Sequence, residues 1–347
     1  MRNLALLVLL VAWNDGIAQD LVITNARIID GTGRSLERGS IVVKDGRIVT
    51  VSGEVLDLRG TPGIDARGMT VLPGLIDTHR HDLMGDLQGF SSLRSDADVT
   101  AAIERETRDK LQALLSEGFT TVMMPGVFLA AGLEIRRLLE EEDFQGPRLL
   151  FSGPGFTAPD DFPVRGMVCR DNAYCAARVA FQVTDPEAAR AHVRELSEAG
   201  VDGIKVFVDA EGADLVPAVL SAIADEAELQ GLPTMLHAHR VEDMLAGVGL
   251  GATRLVHTPG DALIADGPGA RILQEADVAI ATTVSFSSPQ FARAAGFEYT
   301  GAARHDRLLR NVRHLFDEGI VVAFGTDSPD FIRPMVEIEQ LNTVLTP

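Results

Sequence analysis

The chain carries eight histidines in 347 residues, a density that would give roughly 0.2 His-x-His pairs by chance. There are two, His79-Arg80-His81 and His237-Ala238-His239, and each closes an apolar, strand-like run. Side chains two apart share a face of a strand, so each pair can offer two imidazoles to one cation. A single core histidine is the bland alternative; two together at the end of a strand favour a metal. Three more polar residues sit in matching places: Lys205 inside VDGIKVFV, His257 after ATRLV, and Asp327 after VVAFGT. A lysine inside an apolar strand is costly to bury as a free ammonium, so it must be paired with a carboxylate, chemically modified, or neutralised by ligation.

Positioning these residues requires a scaffold that brings strand ends together. From Thr70 onward apolar strands alternate with amphipathic segments of helical length, which calls for parallel strands with crossover helices. Eight strands are expected: VLPGLIDTH, FTTVMMP, PRLLFSG, VDGIKVFV, PTMLHAH, ATRLVHT, DVAIATTVSF and IVVAFGTD. Helices are expected over 99–117, 130–142, 185–199, 215–229, 240–250 and 304–318. Asp185 as N-cap, Pro186 in the first turn and Gly200 as the stop mark the third of them. Eight such units make an α/β chain of the (β/α)8 TIM-barrel type, whose sites lie at the C-terminal ends of the strands. Ahead of it, residues 19–66 read as short strands separated by Gly and Asp turn signals, a small β-sandwich domain.

Composition narrows the partners. The 46% hydrophobic content can fill a sizeable core, and 31 basic against 50 acidic residues give a net charge of −19. That field repels phosphate backbones, and aromatics at 5% supply few stacking platforms, so a nucleic-acid partner is excluded and a small molecule expected. Residues 1–18, with Arg2, an apolar run from Leu4 to Trp13 and small residues before Gln19, read as a secretory signal peptide. The run is far short of the roughly 20 apolar residues that span a bilayer. A secreted or periplasmic protein, off the membrane after cleavage and with a homo-oligomer allowed, is the expectation. Cys169 and Cys175, in MVCRDNAYC, either bridge a loop or stay free; no His or third Cys lies nearby to complete a metal set.

The ordered set resembles the amidohydrolase superfamily in its two-metal form, from LVITNARIIDGTG and GMTVLPGLIDTHRH through to GTDSP. The resemblance implies that His79 and His81 on strand one, Lys205 as a bridging carbamate on strand four, His237 on strand five, His257 on strand six and Asp327 on strand eight hold two divalent cations. Zinc is the default for such a donor set, with manganese and cobalt as alternatives. VDGIKVFVD, MLHAHR, LVHTPGD and FGTDSP resemble most the imidazolonepropionase-related branch, which includes secreted Xaa-Pro dipeptidases and ochratoxin-hydrolysing amidases. That branch implies hydrolysis of an amide in a dipeptide or N-acyl amino acid by a metal-activated hydroxide, with Asp327 as general base and then acid, and His239 facing substrate or oxyanion. The same metal site acting on a cyclic amide, lactone or aminated ring is the alternative.

Substrate choice is expected in the loops 82–98 and 155–183, where Arg165, Arg170 and Tyr174 could meet a carboxylate or carbonyl, a solvated or packing role being the stronger reading. Arg80, between the first two histidines, and VHT on strand six depart from the family pattern and suggest an unusual pocket. The chain stops at LNTVLTP, where family members continue TPxEAL, so a shortened last helix and an incomplete β domain are expected. A non-catalytic or decayed relative is the third reading.

Overall fold

A computed structural model describes residues 20–56, 61–83, 92–141, 144–164, 168–208, 215–327 and 334–345. The expected signal peptide and Arg165 lie outside these residues. The chain divides into two compact units, Met1–Gly74 and Leu75–Pro347.

In the first unit, β1 (Leu21–Ile29), β2 (Ser35–Lys44), β3 (Arg47–Ser52), β4 (Gly63–Asp65) and β5 (Thr70–Val71) form one sheet. Its order is β3-β2-β1-β4, with β5 also on β1. The β2–β3 hairpin turns at Asp45 and Gly46, whose φ of 49° and 71° match the two-residue turn that follows the twist of paired strands. Ala26, Ile28, Ile41 and Ala66 form its core. The described residues make one sheet rather than the two layers of a sandwich. The unit boundary falls after Gly74 rather than at residue 66, because Arg27 and Ile28 pair with Thr70 and Val71.

The second unit alternates strands and helices. Its strands are β6 (Leu75–Asp77), β7 (Phe119–Met124), β8 (Arg148–Phe151), β9 (Gly155–Thr157), β10 (Ala180–Gln182), β11 (Ile204–Phe207), β12 (Thr234–His237), β13 (Arg254–Leu255), β14 (Ala279–Ala281) and β15 (Val321–Ala323). They lie in two sheets, β6-β7-β8 and β10-β9-β11-β12-β13-β14-β15, and every pairing is parallel. Backbone hydrogen bonds tie one sheet to the other, among them Thr78 N–H to Phe324 C=O at 2.9 Å and Asp202 N–H to Phe151 C=O at 2.8 Å.

All eight expected strands are present, shorter than the sequence suggests, and the 277–286 run stops pairing at Ala281 before a 3-10 turn at Val284–Ser287. The helices are α1 (Asp96–Ala102), α2 (Arg108–Ser116), α3 (Leu129–Leu139), α4 (Ala173–Val179), α5 (Pro186–Glu198), α6 (Pro217–Leu229), α7 (Val241–Gly249), α8 (Gly269–Glu275), α9 (Pro289–Ala295), α10 (Ala302–Asp317) and α11 (Met335–Leu341). A π-helical turn, Ile103–Thr107, splits the expected 99–117 helix into α1 and α2.

Helix α5 shows how sequence sets these elements. Asp185 accepts the Ala188 N–H at 2.8 Å, Pro186 opens the first turn where its missing N–H costs nothing, and Gly200, at φ +79°, ends the helix. Its Ala189, Val193 and Leu196 are spaced to share one face and are fully buried, and a residue like Leu196 contributes about 1.5–3 kcal/mol. Leu196→Ala would leave a cavity costing about 2–5 kcal/mol. Among the described residues no helix is long and apolar enough to cross a membrane.

Candidate metal centre

Each expected metal ligand, and His239 with them, lies at or just past the C-terminal end of a parallel strand, Lys205 excepted. His79 and His81 follow β6, His237 ends β12 with His239 beyond it, His257 follows β13, and Asp327 follows β15. Lys205 is within β11 and fully buried. Strand ends are where α/β folds assemble sites, because the loops that leave them are free to vary while the sheet holds the anchors.

Two donor groups converge. In the first, His79 Nε2 lies 2.9 Å from His81 Nε2, and both are 3.4 Å from Asp327 Oδ1. Tetrahedral ligands about 2.0–2.1 Å from one zinc would stand about 3.3 Å apart, so the triangle has the size of a cation's coordination face. In the second, His237 Nδ1 and His257 Nε2 are 2.8 Å apart, and His239 joins them with all ligand atoms within 4.8 Å. Nitrogen lone pairs this close repel unless a proton or a cation lies between them.

His79, His81 and His257 are held ready as neutral ligands. His79 Nδ1 is 2.7 Å from Val256 C=O; a carbonyl can only accept, so the proton sits on Nδ1 and Nε2 keeps its lone pair toward the cluster. His257 Nδ1 is likewise engaged by Thr283 Oγ1 at 3.0 Å. Burial, reinforced by the Lys205 ammonium, pushes His79 well below its usual value and His81 down to about 3. Burial and the neighbouring His237 and His239 push His257 down as well. Burial pushes the Asp327 carboxyl up to about 7, against the pull of Lys205. Lys205 therefore acts electrostatically on members of both groups. Room for it comes from glycine: a Cβ on Gly155 would come within 2.3 Å of Phe207 Cε2 and 3.2 Å of Lys205 Cγ.

A further set of residues holds Asp327 and the loop after β14. Asp327 has φ +49°, an unfavourable region for a residue with a Cβ, and its N–H is donated to His79 C=O at 2.7 Å. Buried Asp77 accepts from Thr326 Oγ1 at 2.7 Å, Thr326 N–H at 3.1 Å and His79 N–H at 3.1 Å, so one carboxylate stitches β6 to the segment carrying Asp327. Glu337, on α11 and fully buried, accepts from Val284 N–H at 3.0 Å, Ser285 N–H at 2.6 Å and Thr282 Oγ1. It thereby fixes the turn bearing Thr283, the partner of His257. The sequence offers little to find Glu337: Val336, Ile338 and Leu341 would be read as the apolar face, whereas Glu337 and Gln340 are the buried pair.

Other residues resolve differently from their expected roles. Arg80 is buried and its guanidinium is committed to Asp82 and Asp77. Tyr174 donates to Asp96 Oδ1 at 2.6 Å and Arg170 is exposed, so neither meets the donor groups. Cys169 and Cys175 form a disulfide with Cα atoms 5.4 Å apart. The loop ahead of it lays Phe162 over His237, with ring centroids 5.0 Å apart and planes at 24°. No sequence signal marks that contact, which depends on the loop's path.

Residues 70–344 match the Amidohydrolase family. The chain belongs to that family. It is 27% identical to imidazolonepropionase of Rhizobium meliloti (strain 1021) over 87% of this chain and 73% of that enzyme. It is 35% identical to N-acyl-D-aspartate deacylase of Alcaligenes xylosoxydans xylosoxydans over 40% of this chain. The match takes in 24% of the deacylase, so the chain spans about a quarter of that relative's length. The crystal structure of a Xaa-Pro dipeptidase with bound methionine superposes with a TM-score of 0.77 at 19% identity, over 95% of this chain and 85% of that one. The last likeness is one of fold.

Proposed function

We propose that the protein is an exported metal-dependent hydrolase that cleaves the amide bond of a dipeptide or an N-acyl amino acid. The observation that carries this reading is the pair of converging donor groups, His79–His81–Asp327 and His237–His239–His257, with Lys205 acting on both. Their scaffold is read as a closed (β/α)8 barrel, supported by the Thr78–Phe324 and Asp202–Phe151 hydrogen bonds between the two parallel sheets. His79, His81, His237, His257 and Asp327 would hold two divalent cations, zinc being favoured by the imidazole-rich set. Carbamylation would turn Lys205 from a repelling ammonium into an anionic oxygen ligand between them. Bound there, divalent cations supply Lewis acidity, which makes water nucleophilic near neutral pH and polarises a carbonyl.

The chain's own residues do the rest. Asp327 would accept the proton of the attacking water and return it to the departing amine nitrogen. His239 lines the same cavity as Asp327 and faces the oxygen that gains charge as the carbonyl becomes tetrahedral. Phe162, stacked on His237, keeps water from that side of the site. Export through a leader at residues 1–18 accords with the Cys169–Cys175 disulfide, which persists in oxidising compartments.

The test is a panel of dipeptides and N-acyl amino acids assayed for release of the free amino acid, with and without a chelator, alongside Asp327→Asn. Metal-dependent release that the variant loses supports the proposal. No release from any member by metal-loaded, folded protein overturns it. The likeness to imidazolonepropionase along most of the chain favours a second reading, opening of a cyclic amide by the same residues, which cyclic members of the panel distinguish.

A further inference from the structure

Beside the donor groups lies a small cavity of about 90 Å³ whose wall includes His239, His257 and Asp327 on one side and Thr283, Ser287 and Arg304 on the other. Among the described residues Arg304 is the only arginine or lysine in that wall. We infer that Arg304 anchors the free carboxylate of the substrate, so that the protein acts on amides whose amine portion ends in a carboxylate. This inference rests on the hydrolase reading above and specifies its substrate.

Helix α10 supports this by comparison. It carries four arginines, and three have partners: Arg307 donates to Gly260 C=O at 2.8 Å, Arg310 pairs with Asp306 at 2.9 Å, and Arg313 pairs with Asp317 at 2.7 Å. Arg304 forms neither an ion pair nor a hydrogen bond with any described residue. Its position is nevertheless built. A Cβ on Gly260 would meet Arg304 Cγ at 2.9 Å, so only glycine there lets the arginine stem pack so close. The Gly260 N–H is in turn donated to His239 C=O at 3.4 Å. The stem is thus seated on the backbone next to a donor histidine, and the guanidinium is left for an outside partner.

Chemistry selects that partner. A guanidinium matches a carboxylate through two parallel N–H···O bonds, which fix orientation as well as affinity. The chain's net charge of −19 repels carboxylate ligands in general, so a local cation is needed wherever one must dock. A volume of 90 Å³ corresponds to about three waters, enough for a carboxylate and the atoms that join it to the scissile amide.

The experiment compares a dipeptide with the same dipeptide carrying a C-terminal amide, using zinc-loaded protein. Both hydrolysis and binding by calorimetric titration are measured for the wild type, Arg304→Met, Arg304→Lys and Arg310→Met. Met keeps the apolar stem over Gly260, and Arg310→Met controls for loss of a charge on the same helix. The wild type and Arg310→Met should bind the free dipeptide about 10- to 100-fold more tightly than its amide. Arg304→Met should bring the two within about two-fold, and Arg304→Lys should restore part of the difference. Should Arg304→Met fail to fold, Arg304→Lys and the wild-type preference still decide the matter. Equal binding of both ligands by the wild type, or an equal loss of both in Arg304→Met, overturns the anchor whether or not hydrolysis occurs. An Arg304-dependent preference in a protein that hydrolyses neither ligand nor any member of the panel above upholds the anchor and overturns the hydrolase reading.

Discussion

Glu337 turns the geometry of the site into a pH dependence. Its carboxyl is fully buried, and burial pushes it up to about 7, opposed by hydrogen bonds from Thr282, Ser285 and Val284. The native state therefore keeps this proton to a higher pH than the unfolded chain, whose glutamates titrate near the ordinary value of 4.5. The sign of the effect is fixed by that difference: the contribution is fully present below about pH 4.5 and is lost as the pH rises through about 7. Integrating between about pH 5.5 and about pH 8 gives a loss near 2 kcal/mol from this group alone. In Glu337→Gln the side chain cannot titrate, and one end becomes a donor, leaving either Val284 or Ser285 N–H without its acceptor at a cost of about 1–3 kcal/mol that does not vary with pH. Urea denaturation of both proteins at the two pH values isolates this contribution, because other titrating groups cancel in the difference. The wild type should lose about 2 kcal/mol more than the variant on going to the higher pH. Equal losses would show that Glu337 does not carry its proton into the neutral range, and would refute burial as the dominant influence on it.

Asp327→Asn keeps the shape of the side chain but not its basicity; turnover on any hydrolysed substrate should fall by about 10²- to 10⁴-fold while circular dichroism stays native. Cys169 and Cys175 are six residues apart, so replacing both with Ser should cost about 2 kcal/mol, read as a lower midpoint in denaturant; an unchanged midpoint would mean that the bridge does not constrain the unfolded chain. Gly155→Ala would drive a methyl to 2.3 Å from the Phe207 ring, and its thermal midpoint should drop by the equivalent of about 1–3 kcal/mol.

How much the sequence reveals depends on which interactions are local. Side-chain alternation along a strand places His79 with His81 and His237 with His239, whereas the engagement of Arg80 by Asp77 and Asp82 shows only in the structure. Capping chemistry fixes α5 to within a residue of its expected span, because Asp185, Pro186 and Gly200 act on neighbouring backbone. Glu337 and Asp77 are illegible as organisers of the site. Their partners lie 53 and 249 residues away in sequence, and a glutamate in a helix reads as solvated until its neighbours are known. Phe162 and Arg304 escape sequence reasoning for the same reason: a loop path and a helix docking decide where they point. The π-helical turn in 103–107 has no evident signal in the sequence.

The most direct measurement is the metal content of protein purified without added metal, beside Lys205→Ala. Elemental analysis should find about two equivalents per chain in the wild type and fewer in the variant, which loses the lysine whose charge acts on both donor sets. A folded wild type with essentially no metal, or a variant that retains both equivalents, would contradict the two-cation centre.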